Sequence, residues 1–135
     1  STNITNRFAE VNRVVYQISD EDWSGDIHLN KAYLTKDRLD TLRDADQVVT
    51  DFLYAENLYE EIWQMPVALL PVSLKKGGSS LILRPINSTE AMTANFCHLP
   101  FDAVKRMVKE IGKVVKFDGI FYDVTNKPPG TIEWE

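Results

Sequence analysis

The sequence is poor in the residues from which many active sites are built. It has one cysteine, Cys97, and two histidines among 135 residues. A single cysteine excludes an intrachain disulfide, and no Cys/His cluster with the spacing of a zinc site is present. The motifs of serine hydrolases, zinc proteases, dinucleotide-binding folds and phosphate loops are also missing. Cys97 and His98 are sequence neighbours, whereas a nucleophile and its base usually meet through the fold, so we do not interpret them as a catalytic pair.

The sequence also lacks a basic surplus and a long apolar run. Its formal charge is −5, from 15 basic and 20 acidic residues, whereas a nucleic-acid-binding protein more often has a basic face. The densest basic run, residues 105–116, lies on a predicted helix and is interpreted as a solvated face. No apolar run approaches the roughly 20 residues of a membrane span, and no signal peptide is recognisable. We therefore expect a cytoplasmic protein without nucleic-acid or membrane partners.

The periodicity of the apolar residues predicts two helices and four strands. Thr35 is placed to cap the first helix, with Arg38 rather than glutamate at the capping-box position, and Pro100 suits the first turn of the second helix. The order β-α-β-β-α-β predicts an α+β two-layer sandwich, with both helices on one face of a mostly antiparallel sheet. The predicted elements are a strand over 11–19, a helix from 35 to about 56, a strand over 65–74 interrupted at Pro71, a return strand over 80–87, a helix over 100–115 and a strand over 118–125.

Two of the predicted strands resemble each other. The segments VNRVVYQIS (11–19) and FDGIFYDVT (117–125) align position by position, and Tyr16 matches Tyr122. Chance similarity between two strands is one explanation. Duplication of an ancestral unit is the other, and it stays open at the level of the residues alone.

The last nine residues, KPPGTIEWE, are unusually stiff and apolar for a chain end. Pro128 and Pro129 fix two φ angles and restrict Lys127 to extended conformations. Gly130 can adopt positive φ or allow a close approach. An isoleucine and a tryptophan further along can anchor the segment on the core. The sequence therefore predicts a preorganised segment, which lowers the ordering cost of binding.

Polar groups in and near this segment favour an anion or nucleotide clamp. Lys127 is a point charge suited to a phosphate, Thr131 offers a hydroxyl, and Glu133 can accept from a base or ribose. Arg84, amid apolar strand residues, marks a sheet edge or a charge with a specific partner. Gln64 could offer an amide for base recognition. The alternatives are a rigid strap without a ligand and, for Arg84 and Gln64, ordinary surface residues.

The segment FYDVTNKPPGTIEWE resembles the C-terminal signature of the GMP synthase family, the glutamine-hydrolysing enzymes that convert XMP to GMP. The segments LTKDRLDTLRDAD, AENLYEEIWQMPVALLPV and LILRPINSTEAMTANFCHLPFD are similar to family segments in the same order. Phe101 replaces a tyrosine in the last of them. The resemblance covers roughly Leu34 to Glu135.

This resemblance implies a dimerisation domain whose tail completes the XMP site. Lys127 and Arg84 would contact the phosphate, and Gln64 would lie at the same site. Thr131, Ile132 and Glu133 would line the nucleotide. ATP and Mg²⁺ are used by the full enzyme, but this fragment lacks the phosphate loop of the adenylating domain and the Cys/His/Glu triad of the amidotransferase domain. We therefore expect the isolated fragment to bind no cofactor and to be inactive.

The resemblance also offers an explanation for the similarity between the segments 11–19 and 117–125. Residues 1–33 are interpreted as the end of a preceding repeat with its connecting loop, and residues 34–135 as the GMP synthase C-terminal domain. Long-form enzymes of the family carry this domain twice. The expected partners are XMP, the remaining GMP synthase domains, and either a second subunit or an intrachain repeat. The alternative function is a purely structural oligomerisation module without ligand contacts.

Overall fold

The computed structural model describes residues 1–20, 22–23, 25–75 and 77–134. Glu21 and Ser24 of the predicted loop, Lys76 of the predicted turn, and Glu135 lie outside the described residues. The helices are α1 (Thr2–Arg7), α2 (Lys36–Ala55) and α3 (Phe101–Val114), with a short 3₁₀ helix over Tyr59–Glu61. The strands are β1 (Val15–Gln17), β2 (His28–Leu29), β3 (Val67–Leu70), β4 (Val72–Ser73), β5 (Ser80–Leu83), β6 (Ile86–Asn87), β7 (Asn95–Phe96) and β8 (Gly119–Asp123).

The central sheet has four strands in the order β1-β8-β5-β3. The two outer pairs, β1–β8 and β3–β5, are antiparallel, and the central pair β5–β8 is parallel. The α+β class is confirmed, and two of the three pairings are antiparallel as expected, but the parallel β5–β8 pair makes the sheet a mixed one. The reason is the connection through α3, which returns the chain to run alongside β5 in the same direction.

The core lies between the sheet and the two long helices. Alternate residues of the central strands, Leu81 and Leu83 of β5 with Ile120 and Tyr122 of β8, face this core. Ile82 is also buried but has the opposite parity and lies outside this cluster. The helices contribute their buried faces to the same cluster, with Ala45, Val49, Phe52 and Leu53 from α2 and Ala103, Val104, Met107 and Ile111 from α3. Within the described ranges, no helix is long and apolar enough to cross a membrane.

The ends of the long helices follow the sequence signals. The hydroxyl of Thr35 accepts from the Arg38 amide at 3.4 Å, so the predicted cap is confirmed. Asp37 lies in the first turn, at the positive end of the helix dipole. The helix ends at Ala55, and Asn57 then adopts a left-handed conformation with φ of 57°. These signals are local, which is why the sequence places the helix well.

Short elements outside the central sheet were not predicted. Pro71 separates β3 from β4, as the predicted interruption indicates, but β4 leaves the hairpin and pairs with β2. The strands β6 and β7 form a separate two-stranded ribbon after Pro85. The helix α1 buries none of its residues.

The pairing of β1 with β8 has local two-fold symmetry. Tyr16 lies directly opposite Tyr122. The Val124 amide donates to the Val14 carbonyl at 3.0 Å, and the Ile18 amide donates to the Ile120 carbonyl at 2.9 Å. In the alignment of the two segments, Val14 matches Ile120 and Ile18 matches Val124.

The side chains at the strand ends repeat this symmetry. The Val14 amide donates to the Thr125 hydroxyl at 2.7 Å, and the Ile120 amide donates to the Ser19 hydroxyl at 3.0 Å. Ser19 and Thr125 also match in the alignment. The similarity seen in the sequence therefore corresponds to two segments that pair with each other around a local two-fold axis.

Candidate functional site

Arg84 is buried at the centre of the region that receives the C-terminal strap, which we define as residues 127–134. It follows β5 directly, and its side chain has no exposed surface. Its Nε donates to the Ile132 carbonyl at 3.0 Å, its Nη2 to the Thr131 carbonyl at 2.7 Å and its Nη1 to the Thr125 carbonyl at 3.0 Å. Burial lowers the pKa of Arg84, and the nearby Asp123 carboxylate opposes that shift. Arg84 thus has specific partners, as one of its two interpretations predicted.

Asp123, at the end of β8, provides the counter-charge. Its Oδ2 accepts from Arg84 Nη1 at 2.8 Å, from Arg13 Nη1 at 3.2 Å and from Trp134 Nε1 at 2.7 Å. Its Oδ1 accepts from the Thr125 amide at 2.8 Å. Both side chains of the Arg84–Asp123 pair are fully buried. A buried ion pair of this kind is stable only when additional hydrogen bonds satisfy both partners, as they do here.

Arg13, which the sequence reasoning missed, holds the strap from the other side. Its Nη1 donates to the Thr131 carbonyl at 3.0 Å, and its Nη2 donates to the Thr131 hydroxyl and to the Glu133 carbonyl, each at 2.7 Å. Its guanidinium lies 5.2 Å from the centroid of the Trp134 ring. Gly130 permits this approach, because a Cβ there would lie 2.9 Å from Arg13 Nη1.

The strap directs its carbonyl groups inward. The carbonyls of Thr131, Ile132 and Glu133 all accept from Arg13 or Arg84. Within the described part of the chain, the amide groups of these three residues have no acceptor. Successive amide groups of this kind can bind an anion. Thr131 and Glu133 are exposed, and Ile132 is half-buried.

Lys127 begins the strap and joins it to the ribbon formed by β6 and β7. Its amide donates to the Ala94 carbonyl at 2.7 Å, and the Ala94 amide returns a bond to the Lys127 carbonyl at 3.1 Å. The Nζ donates to the Ala91 carbonyl at 2.8 Å. One contact leaves further N–H groups of the ammonium for a ligand, because an ammonium carries three donors.

Gln64 lies on the opposite side of the same ribbon. It is exposed, and it forms an isolated bridge with Ile86, whose amide donates to the Gln64 carbonyl at 2.9 Å. Ile86 pairs with Phe96 within the ribbon. The structure thus joins Arg84, Thr131 and Ile132 directly and links Glu133 to them through Arg13. Lys127 and Gln64 lie at the two edges of the ribbon.

A recess of about 520 Å³ is lined by both strands of the ribbon and by residues 60–63. Trp63 and Asn87 contribute to its lining, together with Glu60 and Glu61 of the 3₁₀ helix. Its volume is within the range of small-molecule sites. Two carboxylates at its wall disfavour a phosphate there, so the strap remains the better candidate for anion binding.

The residues of the candidate site that the sequence analysis did not identify are Arg13 and Asp123. Both lie inside the two similar segments, whose clearest common feature is the shared tyrosine. Arg13 is matched with Gly119 in that alignment, so the arginine has no equivalent in the second segment. This difference is the signal that could have identified Arg13. It is a charged residue that flanks a β-branched strand and has no equivalent in an otherwise similar segment.

Comparison with known families agrees with the sequence resemblance. The family described as "GMP synthase C terminal domain" matches residues 51–134. The chain belongs to this family. The matched region contains β3, β5, α3, β8 and the strap, so it includes all six predicted site residues.

The curated proteins that this chain resembles are named as GMP synthases. The "Probable GMP synthase (glutamine-hydrolyzing)" of Leptospira interrogans serovar copenhageni is 41% identical over 138 residues, an alignment that covers 100% of this chain and 23% of that protein. The GMP synthase of Streptomyces avermitilis is 42% identical over 111 residues, with 76% of this chain and 21% of that protein covered. The enzyme of Chlorobaculum tepidum is 43% identical over 110 residues, with the same coverage. This chain therefore spans less than a quarter of the length of these relatives.

Proposed function

We propose that the chain is the C-terminal part of a glutamine-hydrolysing GMP synthase, a ligase that aminates XMP to GMP in purine nucleotide biosynthesis. Its part in that reaction is to bind the XMP phosphate and to orient the substrate, an effect of positioning rather than of proton transfer. The observation that carries this proposal is the strap. Its carbonyls bind the buried Arg84 and the half-buried Arg13, while the amides of residues 131–133 have no acceptor in the described chain.

Within this proposal, Lys127 supplies the positive charge for the phosphate. Among the described residues its ammonium donates to one carbonyl, that of Ala91, so it can also donate to phosphate oxygens. Thr131, Ile132 and Glu133 line the nucleotide, and their amides, which have no acceptor among the described residues, serve as donors. Gln64, at the far edge of the ribbon, contacts the same ligand.

The proposed role of Arg84 is to support the strap. Its donors are engaged by Thr125, Thr131, Ile132 and Asp123. A direct contact between Arg84 and the phosphate would require one of these bonds to be exchanged, and it stays a prediction. The contacts favour an indirect contribution, in which Arg84 fixes the backbone that presents the amides.

The chemical step belongs to parts of the protein outside this chain. ATP with Mg²⁺ would adenylate the XMP base, and ammonia from glutamine would displace the adenylate. Among the described residues, no group of three or more His, Cys, Asp or Glu side chains is arranged to hold a metal ion. Because the sequence lacks the phosphate loop of the adenylating domain and the Cys/His/Glu triad of the amidotransferase domain, we propose that the isolated fragment binds substrate groups without catalysing the reaction.

We also propose that residues 1–33 are the end of a preceding repeat and that residues 34–135 form the second. The paired hydrogen bonds around Tyr16 and Tyr122 support this division, because two copies of one segment would form them by symmetry. The same pairing would join two subunits in a homodimer of single-copy enzymes or two repeats within one chain. An upstream sequence without a second copy of the domain would contradict the proposal.

The first experiment measures XMP binding to the full-length protein by calorimetry, before and after Lys127→Ala. Loss of a charged hydrogen bond should weaken XMP binding by about 1.5–3 kcal/mol. Xanthosine, which has no phosphate, should bind equally well to both proteins. Lys116→Ala, at an exposed position after α3, is the matched control and should leave XMP affinity unchanged.

A purely structural oligomerisation module is the alternative function. The saturation of Arg84 by protein groups favours it, because this arginine needs no ligand to be stable. Under this alternative, deletion of residues 127–134 would abolish assembly, and Lys127→Ala would leave XMP affinity unaltered. The calorimetric comparison therefore separates the two functions.

A further inference from the structure

Arg13 binds the strap with both Nη atoms of its guanidinium, while its buried Nε has no hydrogen-bond partner among the described residues. The two Nη atoms donate to the Thr131 carbonyl, the Thr131 hydroxyl and the Glu133 carbonyl at 2.7–3.0 Å, and Nη1 also contacts Asp123. Its side chain is only 8% exposed. Because a guanidinium is a planar fork with fixed donor directions, these bonds fix the orientation of the strap as well as its position.

The contacts of Arg13 and Arg84 divide the strap between them. Arg84 donates to the Ile132 carbonyl and Arg13 donates to the Glu133 carbonyl. Both arginines donate to the carbonyl of Thr131. Rotation of any of these peptide groups would break a charged hydrogen bond. The Thr131 and Ile132 carbonyls share their peptide units with the amides of Ile132 and Glu133, so these two amides point away from the arginines.

Glycine and tryptophan shape the strap around Arg13. A Cβ at Gly130 would lie 2.9 Å from Arg13 Nη1 and 3.3 Å from Arg13 Cζ, so the guanidinium fills the space that a side chain would need. The Trp134 ring faces the guanidinium and also donates to Asp123 at 2.7 Å. The strap is built to receive this particular side chain.

We propose that Arg13 is a positioning residue for XMP: a side chain from the segment before β1 orients residues 131–133, so that their amides and Lys127 meet the phosphate together. This inference rests on the proposed function. It assigns part of the substrate site to residues outside 34–135. If residues 1–33 end a preceding repeat, the site is completed across the interface between two repeats.

The test uses steady-state kinetics of the full-length protein, with XMP varied at saturating ATP and glutamine. Arg13→Gln removes the charge and most of the bonds, and we expect KM for XMP to rise by about tenfold or more, the effect of one or two charged hydrogen bonds. KM for ATP and for glutamine should stay within about twofold. Arg13→Lys, which keeps the charge but loses the fork, should recover only part of the XMP affinity.

Arg38→Gln is the matched control, because Arg38 is a half-buried arginine that donates to the Ser79 hydroxyl and the Leu69 carbonyl, away from the strap. It should leave KM for XMP within about twofold. An equal rise with Arg38→Gln and Arg13→Gln would attribute the effect to general destabilisation and overturn the inference. A second readout, the ¹⁹F spectrum of 5-fluorotryptophan at Trp134, should report a released strap for Arg13→Gln in the absence of XMP.

Lys127→Ala, measured in parallel, separates this inference from the proposed function. A rise in KM for XMP with Lys127→Ala alone overturns the role of Arg13 and leaves the proposed function standing. No rise with either variant overturns both. A rise with Arg13→Gln alone supports the role of Arg13 and removes Lys127 as a phosphate ligand.

Discussion

Tyr16 and Tyr122 stack on each other across the β1–β8 pair, with ring centroids 5.4 Å apart and an interplanar angle of 29°. They occupy the same position in the two similar segments, so the local two-fold axis passes between them. Tyr122 is buried and its hydroxyl donates to the Cys97 carbonyl at 2.6 Å, whereas Tyr16 is 41% exposed. Burial raises the pKa of Tyr122 well above its usual range. One tyrosine of the symmetric pair is therefore buried in the core, and the other is partly exposed to solvent.

The Tyr16 ring should contribute measurably to the stability of the chain. Tyr16→Ala removes an aromatic cross-strand contact, and we expect it to lower the free energy of unfolding by about 1–2 kcal/mol. Tyr33→Ala is the control, because Tyr33 is 67% exposed and should change stability by less than about 0.5 kcal/mol. Urea unfolding measures both. Equal effects of the two substitutions would contradict a stabilising role for the stacked pair.

Asp123 should contribute far more to the stability of the chain than an acid at the surface. Asp123→Asn leaves Arg84 and Arg13 buried beside a neutral group, and we expect a loss of about 3–5 kcal/mol in the free energy of unfolding. Asp40→Asn, which removes a partly exposed ion-pair partner on α2, should cost no more than about 1 kcal/mol. The same urea titration compares them. A small effect at Asp123 would mean that hydrogen bonds alone hold the two arginines.

A side chain at position 130 should destabilise the chain. Gly130→Ala places a methyl group against Arg13, and displacement of its guanidinium should cost about 1–3 kcal/mol, the scale of a broken charged hydrogen bond. Gly112→Ala is a useful contrast. Gly112 lies within α3, and a Cβ there would meet the Phe117 ring at ordinary contact distances. That substitution should stabilise the chain by up to about 1 kcal/mol. Thermal unfolding checks the opposite signs.

The sequence predicted best those parts of the fold whose cause is local. Thr35 caps α2, and the apolar spacing after Pro100 places α3, because both signals act within one or two turns. The hairpin of β3 with β5 was also predicted, and the structure confirms it. Neither the parallel alignment of β5 with β8 nor the pairing of β4 with β2 has such a local cause. Both depend on which distant strand offers a free edge.

The candidate site divides in the same way. The stiffness of the strap could be read from Pro128, Pro129 and Gly130. Arg84 could be recognised as unusual, but the acceptors that it binds could not be named from the sequence. Arg13 was missed because its partners, Thr131 and Glu133, lie at the other end of the chain. Hydrogen bonds between a side chain and distant carbonyls leave no periodic trace in a sequence.

The separation between Arg13 and Thr131 also has a kinetic consequence. These residues are 118 positions apart, whereas the β3–β5 hairpin joins near neighbours. Closing so long a loop costs chain entropy before any contact compensates for it, so we expect the arginine cluster to form after the folding transition state. Substitutions at Arg13 or Asp123 should then accelerate unfolding and leave the folding rate nearly unchanged. The cluster that orients the strap would thus determine how long the folded chain persists, and not how quickly it is reached.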